Sequence, residues 1–458
     1  MAVSASMADE TMAETIMESS QNTPVDDRLA HLQSQYAQLI IKSGVNLQPG
    51  QGLSVRAELE HAPFVRQLVA AAYQAGAKHV FVQWDDDPTT RARLLNVAAD
   101  SVEYVPPFDV VRLQQMLDEG WARVSLVGPA HPTIMNDVPP AIMRRASAAR
   151  SVATKFYSDA TMTNRIPWCV AAVPTQAWAQ QVFPELSAHD AVAQLWTTIF
   201  ATARADQPDP QAAWLAHEHT LESVAAALIQ LHVRSLHFVD ATPGRDGKPA
   251  TDLVVGLSEA PVWIGGSGHT PQDVRFQPNI PTEEIFTTPH NMHVEGWVST
   301  SKPTFPFGRR VEGGWFRFSK GQVVEHHAEV GEEVLDEFFL IPGAQRLGEI
   351  ALVDVRSPVN EAGRVFYEIL FDENCVCHMA FGDAYPGGVV AGESMTADER
   401  EAVGINSSQT HVDFMIGTPT MDVTGITADG VRVPIMVQGR FVDALTTPQD
   451  QDNGTYSI

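Results

Sequence analysis

The chain reads as an α/β protein of two domains, a parallel-sheet half followed by a half built mainly from short strands. Three observations predict this. From residue 28 strand-like and helix-like segments alternate, the signature of βαβ units. A stretch rich in Gly, Pro and Asp, DATPGRDGKPA at 240–250, interrupts the chain midway. Beyond it the segments shorten and alternate in polarity between turns. A chain of 458 residues also exceeds one typical core. We therefore divide it into an acidic tail at 1–27, an N-terminal α/β domain at 28–245 and a C-terminal domain at 246–458.

In the first half, RLAHLQSQYAQLIIKSG has apolar residues at near-helical spacing and closes on Lys42 and Gly44. GQGLSVRAEL then reads as a strand, APFVRQLVAAAYQAG as a helix stopped by Gly76, and KHVFVQWDD as a strand. The alternation continues through SVEYVPP, FDVVRLQQMLDEG and ARVSLVGPA. AHDAVAQLWTTIFATARA and AWLAHEHTLESVAAALIQLHVRSLHFV read as longer helices. In the second half TDLVVGL, RRVEGGWFRFSKGQVVEHHAEV, EIALVDV, RVFYEILFD, HVDFMIG and VRVPIMVQGRFV read as strands.

Composition narrows the function. The net charge of −26 argues against nucleic acid, because phosphate binding needs a basic face. No G-x-G-x-x-G or P-loop accompanies the βαβ pattern, so a nucleotide site is unsupported. No apolar run approaches the roughly 18 residues of a membrane span. Three cysteines exclude a disulfide framework and fit a reducing, cytoplasmic compartment. Segment 1–27 has neither the basic nor the apolar region of a secretory signal and reads as a solvated tail.

Chemistry concentrates in FDENCVCHMAFGDAY at 371–385, which offers either a thiolate site on Cys375 and Cys377 or an oxygen-rich one on Glu373 and His378. Structural zinc usually takes four soft ligands, and the one other cysteine, Cys169, lies in the first half. The balance therefore favours carboxylates and imidazoles, with the cysteines as small apolar residues. In His411-x-Asp413 on a strand, residues i and i+2 face the same way and can grip one ion. Glu349 and the pair Glu283–Glu284 add carboxylates. The bland readings are a solvated Glu349, a hydrogen-bonded core His378, and a helix start capped by Thr282 with Glu283 and Glu284 in its first turn. His217-Glu-His is not H-E-x-x-H, which excludes a zincin.

NIPTEEIFTTPH, LGEIALV, LFDEN with the following Cys-His and Gly-Asp-Ala-Tyr, and THVDFMIG, in this order and spacing, resemble the thermophilic-type metallo-aminopeptidases of peptidase family M29. YAQLIIKSGVNLQPGQ, VPTQAWAQQVFPE and LWTTIF extend the resemblance to about residues 30–445. It implies a flavodoxin-like doubly wound parallel sheet followed by an α/β domain with a mixed β-barrel. It implies metal ligands at Glu283, Glu349, Glu373, His378, His411 and Asp413, and an active-site tyrosine at Tyr385. It further implies two divalent ions (Zn²⁺, Co²⁺ or Mg²⁺), a homodimer, and short peptides with a free N-terminus as substrates. IPGAQRLGE and KPATDL depart from the family's usual segments and bear on the substrate pocket. Six ligands exceed one tetrahedral zinc with room for water, and four carboxylates balance two divalent ions. Glu349 is the candidate bridging ligand or proton acceptor, and Tyr385 a candidate donor to a developing oxyanion. The alternative is a ring-cleaving dihydroxypyridine dioxygenase on a related scaffold, with one Fe(II) in a carboxylate–histidine set.

Overall fold

A computed structural model describes residues 24–446. The expected tail at 1–27 lies outside them up to residue 23, and a helix, Pro24–Leu39, has already begun before residue 28. Four parallel strands follow in the first half: Gly52–Glu58, His79–Asp85, Ala122–Val127 and Trp168–Ala172. Their order in the sheet is 168–172, 122–127, 52–58, 79–85. Helices Ala62–Gln74 and Pro107–Asp118 connect them, each ending just before a glycine at positive φ (Gly76, Gly120), where a Cβ would clash with the backbone. SVEYVPP, expected to be a strand, begins as a turn and ends on Pro106–Pro107, where Pro107 opens the helix. A 23-residue helix, Pro140–Met162, was not anticipated.

Helix Pro210–Gln230 starts where the Asp209 carboxylate accepts from the Ala212 N–H at 3.1 Å and Pro210 supplies a preset φ. It stops at His232, which takes positive φ, so HVRSLHFV is not helix but the start of strand Val233–Pro243. That strand pairs with Pro249–Leu257 inside an eight-stranded antiparallel sheet. The division placed at 245/246 falls between the two strands of this hairpin. Leu221, Val224, Ala225 and Leu228 of helix Pro210–Gln230 already belong to the second core. The Gly/Pro/Asp signal marks the turn of that hairpin, not a linker.

A second antiparallel sheet, of five strands, carries the chemistry. Its order is His411–Met415, His378–Gly382, Leu347–Val353, Glu284–Thr287, Ile264–Gly265. One face bears Ile285, Ile350, Leu352, Met379, Phe381 and Phe414 and is buried in the second core, where Phe381 and Phe414 stack at 4.2 Å. The two halves interlock. Ile280, on a short strand Asn279–Ile280, pairs into the parallel sheet beside Ala171. Phe366, Phe371, Cys375 and Met415 pack in the first core, and the Trp178 indole N–H donates to the Phe366 carbonyl at 2.6 Å. RVFYEILFD, expected to be a strand, forms no strand: it bends at Tyr367 and Glu368 and closes into the short helix Ile369–Glu373. Its apolar run is too short for periodicity to separate strand from helix. What decides is local: Asp372 is buried and its carboxylate accepts from the Phe366 N–H at 3.0 Å, which folds the segment back on itself.

Candidate metal centre

Strand pairing builds the site. Directly opposed residues in an antiparallel ladder share a face, and so do residues two apart. Ala380 lies opposite both Glu349 and Asp413. His378 lies opposite Ala351, and Glu284 opposite Val353. His411 is two residues from Asp413 and opposes Gly382. Glu284, Glu349, His378, His411 and Asp413 therefore project from one face, above a floor of small residues, Ala351 and Ala380. Glu349 reaches that face because the ladder shifts register between Leu347 and Glu349. Without the bulge at Gly348, residue 349 would carry Leu347's inward phase. A Cβ at Gly348 would sit 2.3 Å from the Asp383 carbonyl oxygen, so only glycine fits there.

The side chains converge. His378 Nε2 is 3.0 Å from a Glu284 oxygen and 3.8 Å from Glu349 Oε1. His411 Nε2 is 3.3 Å from Glu349 Oε2 and 3.4 Å from Asp413 Oδ1. Three overlapping groups can each hold an ion: Glu284–Glu349–His378, Glu349–His411–Asp413 and Glu373–His378–Asp413. Glu373 enters from the end of helix Ile369–Glu373. Asn374 fixes it there: its amide donates to Leu370 O at 2.8 Å and reaches Glu373 Oε1 at 3.3 Å, while its Oδ1 accepts from the Glu283 N–H at 2.7 Å.

The structure brings together five of the six residues expected as ligands and leaves out Glu283. Its carboxylate turns the other way, 2.8 Å from Arg204 Nη1 and 3.6 Å from His217 Nε2. Glu284 takes the place facing the cluster. The signal was in the sequence: Ile285 must face the core, so its neighbour in the strand faces the opposite side. The helix start expected for Glu283–Glu284 is also absent, since Glu284 begins a strand. Asn374 was not singled out beforehand, and Glu284 was noted as a candidate carboxylate but not assigned as a ligand.

The cysteines stay outside every such group among the described residues. Cys375 and Cys377 are buried, and burial pushes both thiols up to about 12. They are uncharged fillers.

The donor set fits divalent cations. His411 Nδ1 is 2.7 Å from the Asp383 carbonyl oxygen and His378 Nδ1 3.4 Å from that of Val376. A carbonyl only accepts, so each Nδ1 carries the proton, and each neutral ring aims its Nε2 lone pair at carboxylates. Acceptors facing acceptors need a cation between them. Glu284 Oε2, although close to His378, is enclosed and has no hydrogen bond of proper geometry. Burial, then the neighbouring acids, hold the Glu373 carboxyl well above its usual range, and Glu349 is raised mainly by burial. The bare site opposes this by charging its histidines: despite burial, Glu284, Asp413 and Glu349 lift His378 to about 9. An enclosed, uncompensated charge costs several kcal/mol, so four carboxylates would consume much of a stability of about 5–15 kcal/mol. Two divalent ions would neutralise all four.

The site opens into a cavity of about 300 Å³ between the halves, walled by Trp168 and Val170 from the parallel sheet and by Ile264 and Phe286 from the site sheet. Tyr385 lines it, with its ring 5.2 Å from that of His411 and 5.4 Å from that of Phe286. Burial, then Glu349 and Asp413, hold its hydroxyl well above the usual phenol range, so it stays a donor.

A carboxylate–imidazole cluster on one face of a sheet, closed over by a second α/β half, defines a metallohydrolase-type centre, and the family comparison agrees. The chain belongs to the thermophilic metalloproteases of family M29, whose model matches residues 30–441. It is 39% identical to Aminopeptidase 2 of Geobacillus stearothermophilus over 407 residues, 89% of this chain and 96% of that protein. It is equally 39% identical to Aminopeptidase T of Thermus thermophilus, over 89% of this chain and 97% of the relative. The solved structure of wild-type AmpT from Thermus thermophilus superposes with a TM-score of 0.79 at 38% identity, covering 90% of this chain and 99% of that one. The chain is thus a metallopeptidase-family hydrolase, and the ring-cleaving oxygenase has no support from these relatives.

Proposed function

We propose that this protein is a dinuclear metallo-aminopeptidase that removes the N-terminal residue from short peptides. The observation that carries this reading is the single sheet face that gathers Glu284, Glu349, His378, His411 and Asp413, completed by Glu373. These six residues would hold two divalent ions, Zn²⁺, Co²⁺ or Mg²⁺, whose role when bound is to polarise the scissile carbonyl and to bring a water's pKa down to about 7. Glu349, like His378 and Asp413, belongs to two of the three groups, and with its oxygens 3.8 Å from His378 Nε2 and 3.3 Å from His411 Nε2 it would be the carboxylate able to serve both ions. Its enclosed carboxyl, raised by burial, is also suited to take the proton of the attacking water. The Tyr385 hydroxyl, kept protonated, donates to the oxygen that becomes negative as the carbonyl is attacked. The acidic walls favour a free α-amino group. The cavity of about 300 Å³ admits few residues. As the resemblance implies, the protein works as a homodimer, which light scattering on the purified chain would check.

The test is hydrolysis of leucyl arylamide and its N-acetyl derivative, before and after chelation. The free amine should be cleaved, the acetylated one should not, and chelation should abolish activity until Zn²⁺ or Co²⁺ is restored. Equal rates on both substrates would overturn the aminopeptidase reading.

A further inference from the structure

A second cavity, of about 370 Å³, lies at the carboxyl ends of the parallel strands. The strand order places 52–58 between 79–85 and 122–127, so the chain reverses its direction of winding there. In open parallel sheets a crevice forms at such a point and ligands bind in it. The lining follows that rule: Arg56 and Glu58 end one strand, Ser125 to Val127 end its neighbour with Gly128 just beyond, and Asp85 ends the third with Asp87 just beyond. Val127, Glu368 and Ile369 line both this crevice and the cavity of the metal centre, so the two adjoin.

Two acceptors in the crevice wall have no donor. Glu368 Oε2 and Gln181 Oε1 are enclosed and make no hydrogen bond. Glu368 is half-buried as a residue, but its carboxyl end is fully covered. An unsatisfied buried acceptor costs on the order of 1–3 kcal/mol, and more when it is charged. The nearby donors are already engaged: Arg56 pairs with Asp85, and His131 Nε2 lies 3.6 Å from Glu60. Burial and the neighbouring acids push Glu58 up to about 7, and burial with Asp372 pushes Glu368 to about 8. Four acids, Glu58, Asp85, Asp87 and Glu368, line the crevice against one arginine, Arg56, and the raised carboxyls mark where a negative charge would lack a counter-charge. An anion would be repelled, and a neutral donor would leave the charge in place. A cationic donor answers both deficits.

We propose that this crevice is a subsite for the positively charged side chain, Lys or Arg, of a peptide residue downstream of the scissile bond, seated on Glu368 and Gln181. The inference rests on the aminopeptidase reading. The N-terminal residue occupies the metal centre's own cavity. Each further residue of an extended peptide advances about 3.3 Å, so a chain leaving past Val127 and Ile369 brings its next side chains to the crevice. Leu126 and Phe307 offer apolar surface for the methylene stem of such a side chain.

The experiment compares Leu-X-Gly and Leu-Gly-X tripeptides, with X as Lys, Gln or Glu, at low and high salt. At one of the two positions Lys should exceed Gln in kcat/KM by about tenfold, as a charge-assisted hydrogen bond provides, with Glu poorest and the difference in KM. High salt should preserve it, since enclosed charges are weakly screened, whereas general attraction to an acidic protein would vanish. Glu368→Gln should cut the Lys-to-Gln ratio at least fivefold, and that ratio does not depend on how much enzyme is folded. A ratio of one at both positions at high salt, or an unchanged ratio in Glu368→Gln, overturns the subsite. Failure to cleave any free tripeptide, Leu-Gly-Gly included, instead overturns the aminopeptidase reading on which it rests.

Discussion

Glu283 and Glu284 are adjacent in the chain and face opposite environments: one meets Arg204 and His217, the other His378. Their substitutions should separate cleanly. Glu284→Ala should lower bound metal, read by elemental analysis, together with activity. Glu283→Ala should keep most of the metal but lose about 3 kcal/mol of stability, because it strands the enclosed Arg204 charge. The opposite pattern would return Glu283 to the metal centre. Tyr385→Phe removes a hydroxyl and no ligand. Metal content should hold while kcat on a leucyl substrate falls about a hundredfold, the usual worth of one oxyanion donor at roughly 3 kcal/mol. KM should move less, because that contact strengthens in the transition state. Full metal with near-normal kcat would remove the tyrosine from the chemistry.

Among the elements, the strand His378–Gly382 is the keystone, since each neighbouring strand sets its own site residue against it. Ala380 stands between Glu349 and Asp413 and is fully buried. Ala380→Val adds two methyl groups to this floor. Metal affinity should weaken by tenfold or more while the circular dichroism spectrum stays that of the parent; undiminished affinity would mean the floor has slack. In the parallel sheet, His61 ties two strand ends together: its Nδ1 accepts from the Glu58 N–H and its Nε2 donates to the Gly128 carbonyl at 3.1 Å. Burial holds His61 down to about 4. The unfolded chain, with an imidazole near 6.5, therefore binds more protons between those values, and stability should fall as pH drops from about 6.5 toward 4. Denaturant melts of the wild type and His61→Gln at pH 7 and pH 5 check this. The wild type should lose more between the two pH values, and equal losses would show that His61 does not contribute.

On the scale of the whole molecule, the metal centre belongs to neither half alone. The site sheet supplies five of its carboxylate and imidazole groups, the segment packed into the first core supplies Glu373, and the parallel sheet supplies the cavity wall through Trp168 and Val170. Metal removal should therefore be felt globally. Chelated protein should melt several degrees lower than protein with its ions restored, by the linkage of binding to folding. A calorimetric transition that does not move would mean that these groups hold no ion in solution.

Sequence by itself carried the candidate carboxylates and imidazoles and much of the local geometry. His411-x-Asp413 is readable because period two is a property of any strand, and both side chains do meet Glu349's surroundings. The alternation of strand and helix in the first half likewise follows from burial patterns only a few residues long. Sequence also weighed against a thiolate site, since Cys375 and Cys377 lack a second soft pair nearby in the chain. Tertiary structure decided what depends on distant contacts. Which face Glu349 takes rests on a register shift against strand His378–Gly382, and the place of strand Val233–Pro243 rests on pairing with strand Met421–Thr427, far along the chain. Each is set by long-range packing, whose free energy exceeds the few tenths of a kcal/mol per residue that separate local preferences.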